Sequence, residues 1–503
     1  MATATGYREE SLVSDDLSVT GRRVILPEMP IDARKIRTHI ERAWKAYRGD
    51  WTGHMPLKVE RGDPDDNVLV NRCAPIVDKG VSFLFGDAPK IEVKDKTGKK
   101  DGPKAAQDAL DAALGDEDDF MTTFTMLSMN GGVAGHTFAK LLPAEKDNDE
   151  DIDYPRIVVQ DPSNYWVVTD PDDVNCPLQY VCEYECDRPG GKKVTTRVVT
   201  AREDEDAPWM ITTYERERLA IGDAGSGNLD SSSQGTWLIC EEEEWPYDWA
   251  PIHDCMNLPN PNEYWGVPDL TSDIIHLNGV LNYVESNINK IGRLHGTPFT
   301  YALGADAKDL TIAPGRIICF PSSDTKVGAV QWAGDLANLM AYAGEVRADM
   351  DEQSRVPAVA TGRLSELPRA LSGVALQMLF APLVEKTTLK RRLYGKLVRS
   401  LCEHILEMCN KEWVGLKVHI NWPNLLPSDD LAAAQTAQVW QAIGVSPDTL
   451  MDQGGFNAEA ERQKVADAAQ KQLDMYAKGQ GMPPSGNQPA GAGNMMPGQQ
   501  QQG

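Results

Sequence analysis

The sequence predicts an α+β fold, and three features predict it. Strand-forming runs gather in an acidic middle stretch, residues 156–242. Two amphipathic helical repeats flank a short strand-like insert between Trp265 and Asp351. A third apolar repeat covers 375–409, a rod of roughly 50 Å at 1.5 Å per residue, unusual inside a compact domain.

In chain order, the first element is a helix after Pro30. In IDARKIRTHIERAWKAYRGD, Asp32 is a potential cap and Ile36, Ile40, Ala43, Trp44 and Tyr47 form one apolar face. The next, NVLVNRCAPIVDKGVSFLFG, places Leu69, Cys73, Ile76, Val77, Val81 and Leu84 on one side of a helix stopped by Gly86, with Pro89 soon after. Asn71, Arg72 and Lys79 have two readings, a surface turned toward a partner or an ordinary solvated face. The middle stretch reads as strands at 156–160, 165–168, 179–184, 193–200, 209–214 and 237–242. Between the last two, IGDAGSGNLDSSSQG reads as an exposed turn or flexible loop and not as a phosphate cradle.

The first long repeat, TSDIIHLNGVLNYVESNINKIGRLH, sets Ile274, Leu277, Leu281, Val284, Ile288 and Ile291 at three- and four-residue steps, a rod of about 37 Å. In the insert that follows, β-rich pieces at 299–302, 316–320 and 327–332 are separated by Gly304, Pro314-Gly315 and Pro321. GDLANLMAYAGEVRADMDEQ then carries Leu336, Leu339, Tyr342, Val346 and Met350 on a stripe, with Asp335 as a potential N-cap. After Asp351, Pro357, Gly362, Pro368 and Gly373 interrupt any helix. The third repeat uses Leu376, Phe380, Leu383, Leu389, Leu393, Leu397, Leu401 and Ile405, and Pro382 is expected to kink or split its first turns. Further on, Pro427 closes a turn, and Ser428 with Asp429 and Asp430 suits a helix start. Leu431, Ala434, Ala437 and Trp440 continue that helix, and another covers 458–476. From Lys478 onward Gly, Pro and Gln dominate, which predicts disorder.

Composition excludes several classes. A net charge of -25 over 503 residues argues against a dedicated nucleic-acid-binding module, because tight duplex binding needs a basic footprint that releases counterions. No run of about 20 apolar residues suits a membrane span, and MATATGYREESLVSDD lacks the apolar region of a secretory signal. Nine cysteines are irregularly spaced; Cys176, Cys182 and Cys186 have no second close pair, so structural thiols and no metal are expected. GxxxxGK[ST], HExxH and GxSxG are absent. The carboxylates of Glu241 to Glu244 and Asp429-Asp430 read as surface loops or caps, and His276 and His404 as packing residues. No catalytic residue, cofactor or metal ligand is expected, and the chain is not read as an enzyme.

The order of these segments resembles the portal proteins of tailed double-stranded-DNA bacteriophages, in particular the long-tailed (siphophage) type. The resemblance is carried by NVLVNRCAPIVDKGVSFLFGDAPKIEV at 67–93, EEEEWPYDWAPI before the first long helix, and SRVPAVATGRLSELPRALSGVALQ at 354–377, and it covers about 27–445. It implies a ring oligomer with the portal fold, divided as follows: a flexible arm at 1–26, N-terminal helices and an α/β wing at 27–264, a first stem helix at 265–294 and a small α/β clip at 295–332. A second stem helix at 333–353, a tunnel loop at 354–373, a long wing helix and return strand at 374–420, a mainly helical crown at 421–477 and a disordered tail at 478–503 complete it.

The same resemblance implies a homododecamer at one capsid vertex of the virion, assembled in the host cytoplasm. It implies contacts with major capsid and scaffolding proteins, docking of the packaging terminase ATPase and later of head-completion or tail adaptor proteins, and no membrane. Double-stranded DNA would pass through the channel during packaging and ejection without sequence-specific binding. Twelve copies carry a formal charge of 12 × -25, about -300, either a repulsive wall that favours sliding over capture or charge spread over the exterior for solubility. The resemblance sets Val356, Pro357, Thr361, Arg363 and Arg369 in the tunnel loop at the DNA channel, an ion pair at the helix ends being the other reading of the two arginines. Lys308, Arg316 and Lys326 in the clip have two readings, docking contacts or structural ion pairs. Two other functions stay open: a non-channel structural connector or assembly scaffold, and a nucleic-acid-processing enzyme of unrecognised fold.

Overall fold

The computed structural model describes residues 23–24, 26, 29–51, 55–59, 64–144, 154–188, 191–202, 208–217, 237–296, 300–303, 326–329, 336–363 and 373–426, plus isolated positions beyond. The chain divides into units of residues 1–425 and 426–503. In the second unit Trp440, Arg462, Val465, Ala466 and Gln470 are helical. Residues 1–22 of the expected arm at 1–26, the loop at 221–235, the strand at 316–320, Asp335, the turn residues 427–430 and the tail from 478 lie outside the described residues, while Arg23–Val24 at the end of that arm form a strand.

The first unit is a mixed α+β structure. It begins with β1 (Arg23–Val24) and α1 (Ile31–Arg48), whose cap position is Pro30 and not Asp32. Asp32 sits in the first turn, where it pairs with Lys35 at 2.9 Å, and Gly49 ends the helix at φ 71°, a left-handed conformation that suits a residue without Cβ. α2 (Cys73–Phe85) starts later than the apolar pattern suggests: Leu69 lies in the extended approach to it and is 43% exposed. Then come β2 (Lys90–Lys94), α3 (Lys104–Leu114), α4 (Glu117–Ala134), β3 (His136–Leu142) and β4 (Arg156–Gln160). α4 is not visible as an apolar stripe because its buried positions include Ser128, Gly131 and Gly132.

The acidic middle forms β5 (Tyr165–Thr169), β6 (Pro177–Arg188), β7 (Gly191–Ala201), β8 (Trp209–Glu217) and β9 (Trp237–Trp245), each overlapping an expected strand. With β1 they make an antiparallel sheet in the order β1-β9-β8-β7-β6-β5. β10 (Ile252–Met256) joins β3 and β4 in a three-stranded sheet, β10-β3-β4. Phe138 of β3 and Tyr165 of β5 stack at 4.6 Å, and Tyr180, Val199, Ile211, Trp245 and Ile252 complete an apolar layer between the two sheets.

The long helices follow: α5 (Ser272–Gly296), the hairpin β11 (Thr300–Leu303) and β12 (Lys326–Ala329), α6 (Leu336–Ser354) and α7 (Gly373–Cys409). β13 (Lys417–Asn421) then returns to pair with β2. α7 runs unbroken through Pro382, which immediately precedes Leu383, the first deeply buried residue of the helix among the described side chains. Two stripes are rotated from expectation. On α6, Tyr342 is 47% exposed while its neighbour Ala343 is buried. On α7, Leu389 and Leu393 are half-buried, and Lys386, Lys390 and Tyr394 take the interior face.

Candidate functional site

The region around the C-terminal end of α6 brings together three unusual polar constructions. The first is a ladder on α5. Asn278, Asn282 and Ser286 recur every four residues, about 6 Å of helix rise, close to the 6.6–6.8 Å spanned by two residues of extended chain. The segment 66–72 runs antiparallel along them, its last residue Arg72 turning into the start of α2 at φ -102°, ψ -7°. Its alternate backbone groups are satisfied as a strand partner would satisfy them. Arg72 N–H donates to Asn278 Oδ1 at 2.9 Å, Val70 N–H to Asn282 Oδ1 at 2.8 Å and Val68 N–H to Ser286 Oγ at 2.9 Å. Asn278 Nδ2 donates back to the Val70 carbonyl at 3.0 Å, and Asn289 Nδ2 to that of Asp66 at 3.1 Å. Arg293 closes the ladder with both oxygens of the Asp66 carboxylate, each at 2.6 Å.

The second construction is the loop after α6. The chain turns at Arg355, φ 59°, a left-handed conformation costly for a residue with Cβ. Three contacts hold the turn. Lys386 Nζ donates to the Ser354 carbonyl at 3.0 Å, Ser354 Oγ accepts from Val356 N–H at 3.3 Å, and the Val356 side chain is fully buried. A single 3-10 turn, Ala358–Thr361, leads back so that Arg363 donates to the Asp351 carboxylate, whose other oxygen takes Arg72 at 2.7 Å. Burial pushes the Asp351 carboxyl above its ordinary value, against the pull of the two guanidinium groups. Arg347 pairs with Glu285 across α5 and α6.

The third is a buried charge cluster. Asp269, just before α5, accepts from Lys386 at 2.9 Å and Lys390 at 2.5 Å, and all three are nearly or wholly removed from solvent. Burial raises the carboxyl, but the two ammonium charges and their hydrogen bonds outweigh it and bring it to about 2. The second positive charge is met by the Ser354 carbonyl at the negative end of the α6 dipole. Close helix approach makes room: a Cβ at Gly131 would stand 1.9 Å from the Tyr394 hydroxyl, and one at Gly80 3.0 Å from Asp269. Lys386 therefore ties the start of α5 and the end of α6 to one turn of α7.

Of the residues assigned to a tunnel loop, the structure gathers four. Val356 is core, Pro357 precedes the 3-10 turn, Thr361 Oγ1 donates to the Ala358 carbonyl at 2.8 Å, and Arg363 pairs with Asp351. Arg369, Lys308 and Arg316 lie outside the described residues, and Lys326 opens β12 opposite Leu303. Asn71 and Arg72 serve internal contacts: Asn71 Oδ1 accepts from Cys73 N–H at 3.0 Å as a cap of α2, and Arg72 holds Asp351. Apolar periodicity leaves the ladder and the cluster unread. The polar repeat Asn278, Asn282, Ser286 was the available signal for the ladder; nothing local marks Lys386 and Lys390 as buried. Among the described residues no group of three or more His, Cys, Asp or Glu is placed to hold a metal ion. Among those residues no helix is long and apolar enough to cross a membrane.

Comparison with known proteins adds the following. Three chains of solved structures are similar over most of this one. One is from "Virion of native gene transfer agent (GTA) particle", at 12% identity and a TM-score of 0.43, covering 87% of this chain and 96% of that one. One is from "Neck of empty GTA particle computed with C6 symmetry", at 11% and 0.43, covering 87% and 96%. One is from "Neck of native GTA particle computed with C12 symmetry", at 12% and 0.42, covering 76% and 90%. No curated protein matches the sequence. Residues 322–478 match the family model described as "Phage portal protein, SPP1 Gp6-like". The likeness to the SPP1 Gp6-like phage portal family is thus confined to residues 322–478.

Proposed function

We propose that this chain is the subunit of a portal ring, a homododecamer at one capsid vertex through which double-stranded DNA passes during packaging and ejection. The observation that carries the reading is the family match, which runs through α6, the loop at 355–363 and α7. The geometry agrees with a mechanical role. α5, 25 residues or about 37 Å long, and α6, 19 residues, form an antiparallel stalk anchored at one end through Lys386. β11 and β12 lie in the chain between the other ends of α5 and α6, and this insert is the place for docking the packaging ATPase and later the head-completion or tail proteins. The loop at 355–363, at the anchored end, is the part assigned to the channel, with Arg363 at its close. On this reading the acidic composition keeps DNA sliding, because a wall of like charge does not capture a polyanion.

The test is cryo-electron microscopy of the purified full-length protein with mass photometry on the same sample. The expected result is a ring near 12 × 55.3 kDa, about 664 kDa, with an axial hole wide enough for a duplex. A persistent monomer, or a closed oligomer without a hole, rejects the channel and favours a structural connector or scaffold.

A further inference from the structure

We infer that the cavity between the two sheets around Lys140 and Arg197 is a binding site for one small monovalent anion, chloride being the ion that fits. Strand register builds it. Tyr165, Cys182, Arg197 and Thr213 are directly paired across β5, β6, β7 and β8 and so share one face of the large sheet, together with Tyr184, Val199 and Ile211 two residues along. In the facing sheet Lys140 pairs with Ile252 and Val158, and Gln160 lies two residues beyond Val158. Lys140, Gln160, Arg197, Tyr165, Cys182 and Tyr184 are the polar residues of the enclosed space, about 30 Å³. That is room for one or two water-sized guests and too little for phosphate.

The lining is rich in donors and poor in acceptors. Lys140 makes no hydrogen bond or ion pair with any described residue, and Arg197 has a single 3.4 Å contact through Nε to Thr213 Oγ1. The Gln160 carbonyl oxygen is taken by the Tyr165 hydroxyl at 3.0 Å, and the amide nitrogen lies 3.5 Å from two backbone carbonyls, the limit of a hydrogen bond. Burial pushes the Cys182 thiol up to about 11, so it stays uncharged. No carboxylate lines the space. Glu241 and Glu243 stand on β9, two strands or about 10 Å from β7, and Asp161 lies beyond the end of β4. Two half-buried cations therefore face one small cavity with nothing negative in it. Burial, then the Arg197 charge, push the Lys140 ammonium below its ordinary value, against a weaker opposing pull from Glu243 and Glu241 outside the cavity. An anion between the two cations relieves that repulsion and satisfies the free N–H groups at once.

The experiment is thermal unfolding of the full-length protein in sodium chloride and in sodium gluconate at equal ionic strength. Chloride at ten times its Kd shifts the folding equilibrium about elevenfold, raising the midpoint above that in gluconate. Lys140→Gln and Arg197→Gln, each checked by circular dichroism, are expected to lose this chloride-specific rise while keeping the response common to both salts. In crystals grown from bromide, an anomalous peak is expected between Lys140 Nζ and the Arg197 guanidinium. Equal midpoints in the two salts for the unsubstituted protein overturn the site. So does a chloride-specific rise that survives both substitutions, or a cavity holding water without bromide. Should either variant fail to fold, the salt comparison and the bromide peak on the unsubstituted protein decide the matter.

Discussion

The two halves of α7 bury opposite chemistries. Its N-terminal half turns Lys386 and Lys390 inward onto Asp269 and buries Thr387, whereas its C-terminal half buries Leu397, Val398, Leu401, Cys402, Ile405 and Leu406. An apolar seam spreads its stability over many small contacts. A charged one concentrates it, because each buried ion costs several kcal/mol unless its partner is in place. The charged half is where α5, α6 and α7 are tied together, so orientation there depends on one carboxylate. The apolar half lies against β13 and α3, where shape complementarity is enough.

The sharpest way to break this contrast is Asp269→Asn. It leaves two lysines buried without a counter-charge, and a loss of about 3–5 kcal/mol is expected from denaturant midpoints. A loss under about 1 kcal/mol would show that Lys386 and Lys390 escape to water. In the apolar half, Leu401→Ala is expected to cost about 3 kcal/mol by lost transfer energy and cavity formation, with no change in response to salt.

Acid separates the halves by order. His404, on the apolar half, stacks on Trp249 at 4.1 Å and meets His253 at 2.5 Å. Burial, with the neighbouring positive charges of Lys417 and His404 itself, holds His404 at about 4 and His253 at about 3. A lowered histidine contributes stability that is complete above 6.5 and lost as pH falls toward 4 and then 3. The lowered Asp269 carboxyl contributes stability that is present above 3.8 and lost only as pH falls toward about 2. Hydrogen exchange on acidification is thus expected to loosen the end of α7 near His404 first. Simultaneous loosening of both halves would refute the assignment.

Smaller effects refine the picture around the anchor. Asn282→Ala orphans the Val70 N–H, and about 1–2 kcal/mol is expected, with faster exchange confined to 66–72. Arg363→Gln removes one partner of Asp351 at a half-exposed position. A loss of no more than about 1 kcal/mol is expected, read as faster exchange across 356–363 while Arg72 keeps Asp351 in place.

Periodicity alone locates α1, α5, α6 and α7 and strands β5 to β9 of the acidic sheet, because each has a face that alternates in step with its own geometry, but not the two-residue β1, which falls in the stretch expected as a flexible arm. It misses α4, whose buried positions include Ser128, Gly131 and Gly132 among the apolar ones, the two glycines lying where Tyr394, Asp269 and Val77 press close. It misreads Leu69 as helical because an apolar residue in an extended segment looks the same as one on a helix. For the candidate site, Val356, Pro357, Thr361 and Arg363 are legible as a loop between two helices. Their partners Asp351, Arg72 and Lys386 are not, since they meet across sequence separations no local pattern encodes.

The sequence by itself determined the α+β class, the long helices, the order of segments and the acidic balance, all of which follow from side-chain spacing and composition. Only the tertiary structure decided which polar residues would be interior. A lysine such as Lys390 reads as surface from every neighbour along the chain. It is buried because Asp269, 121 residues away, is brought within 2.5 Å, and the energy of a charge depends on what surrounds it in space.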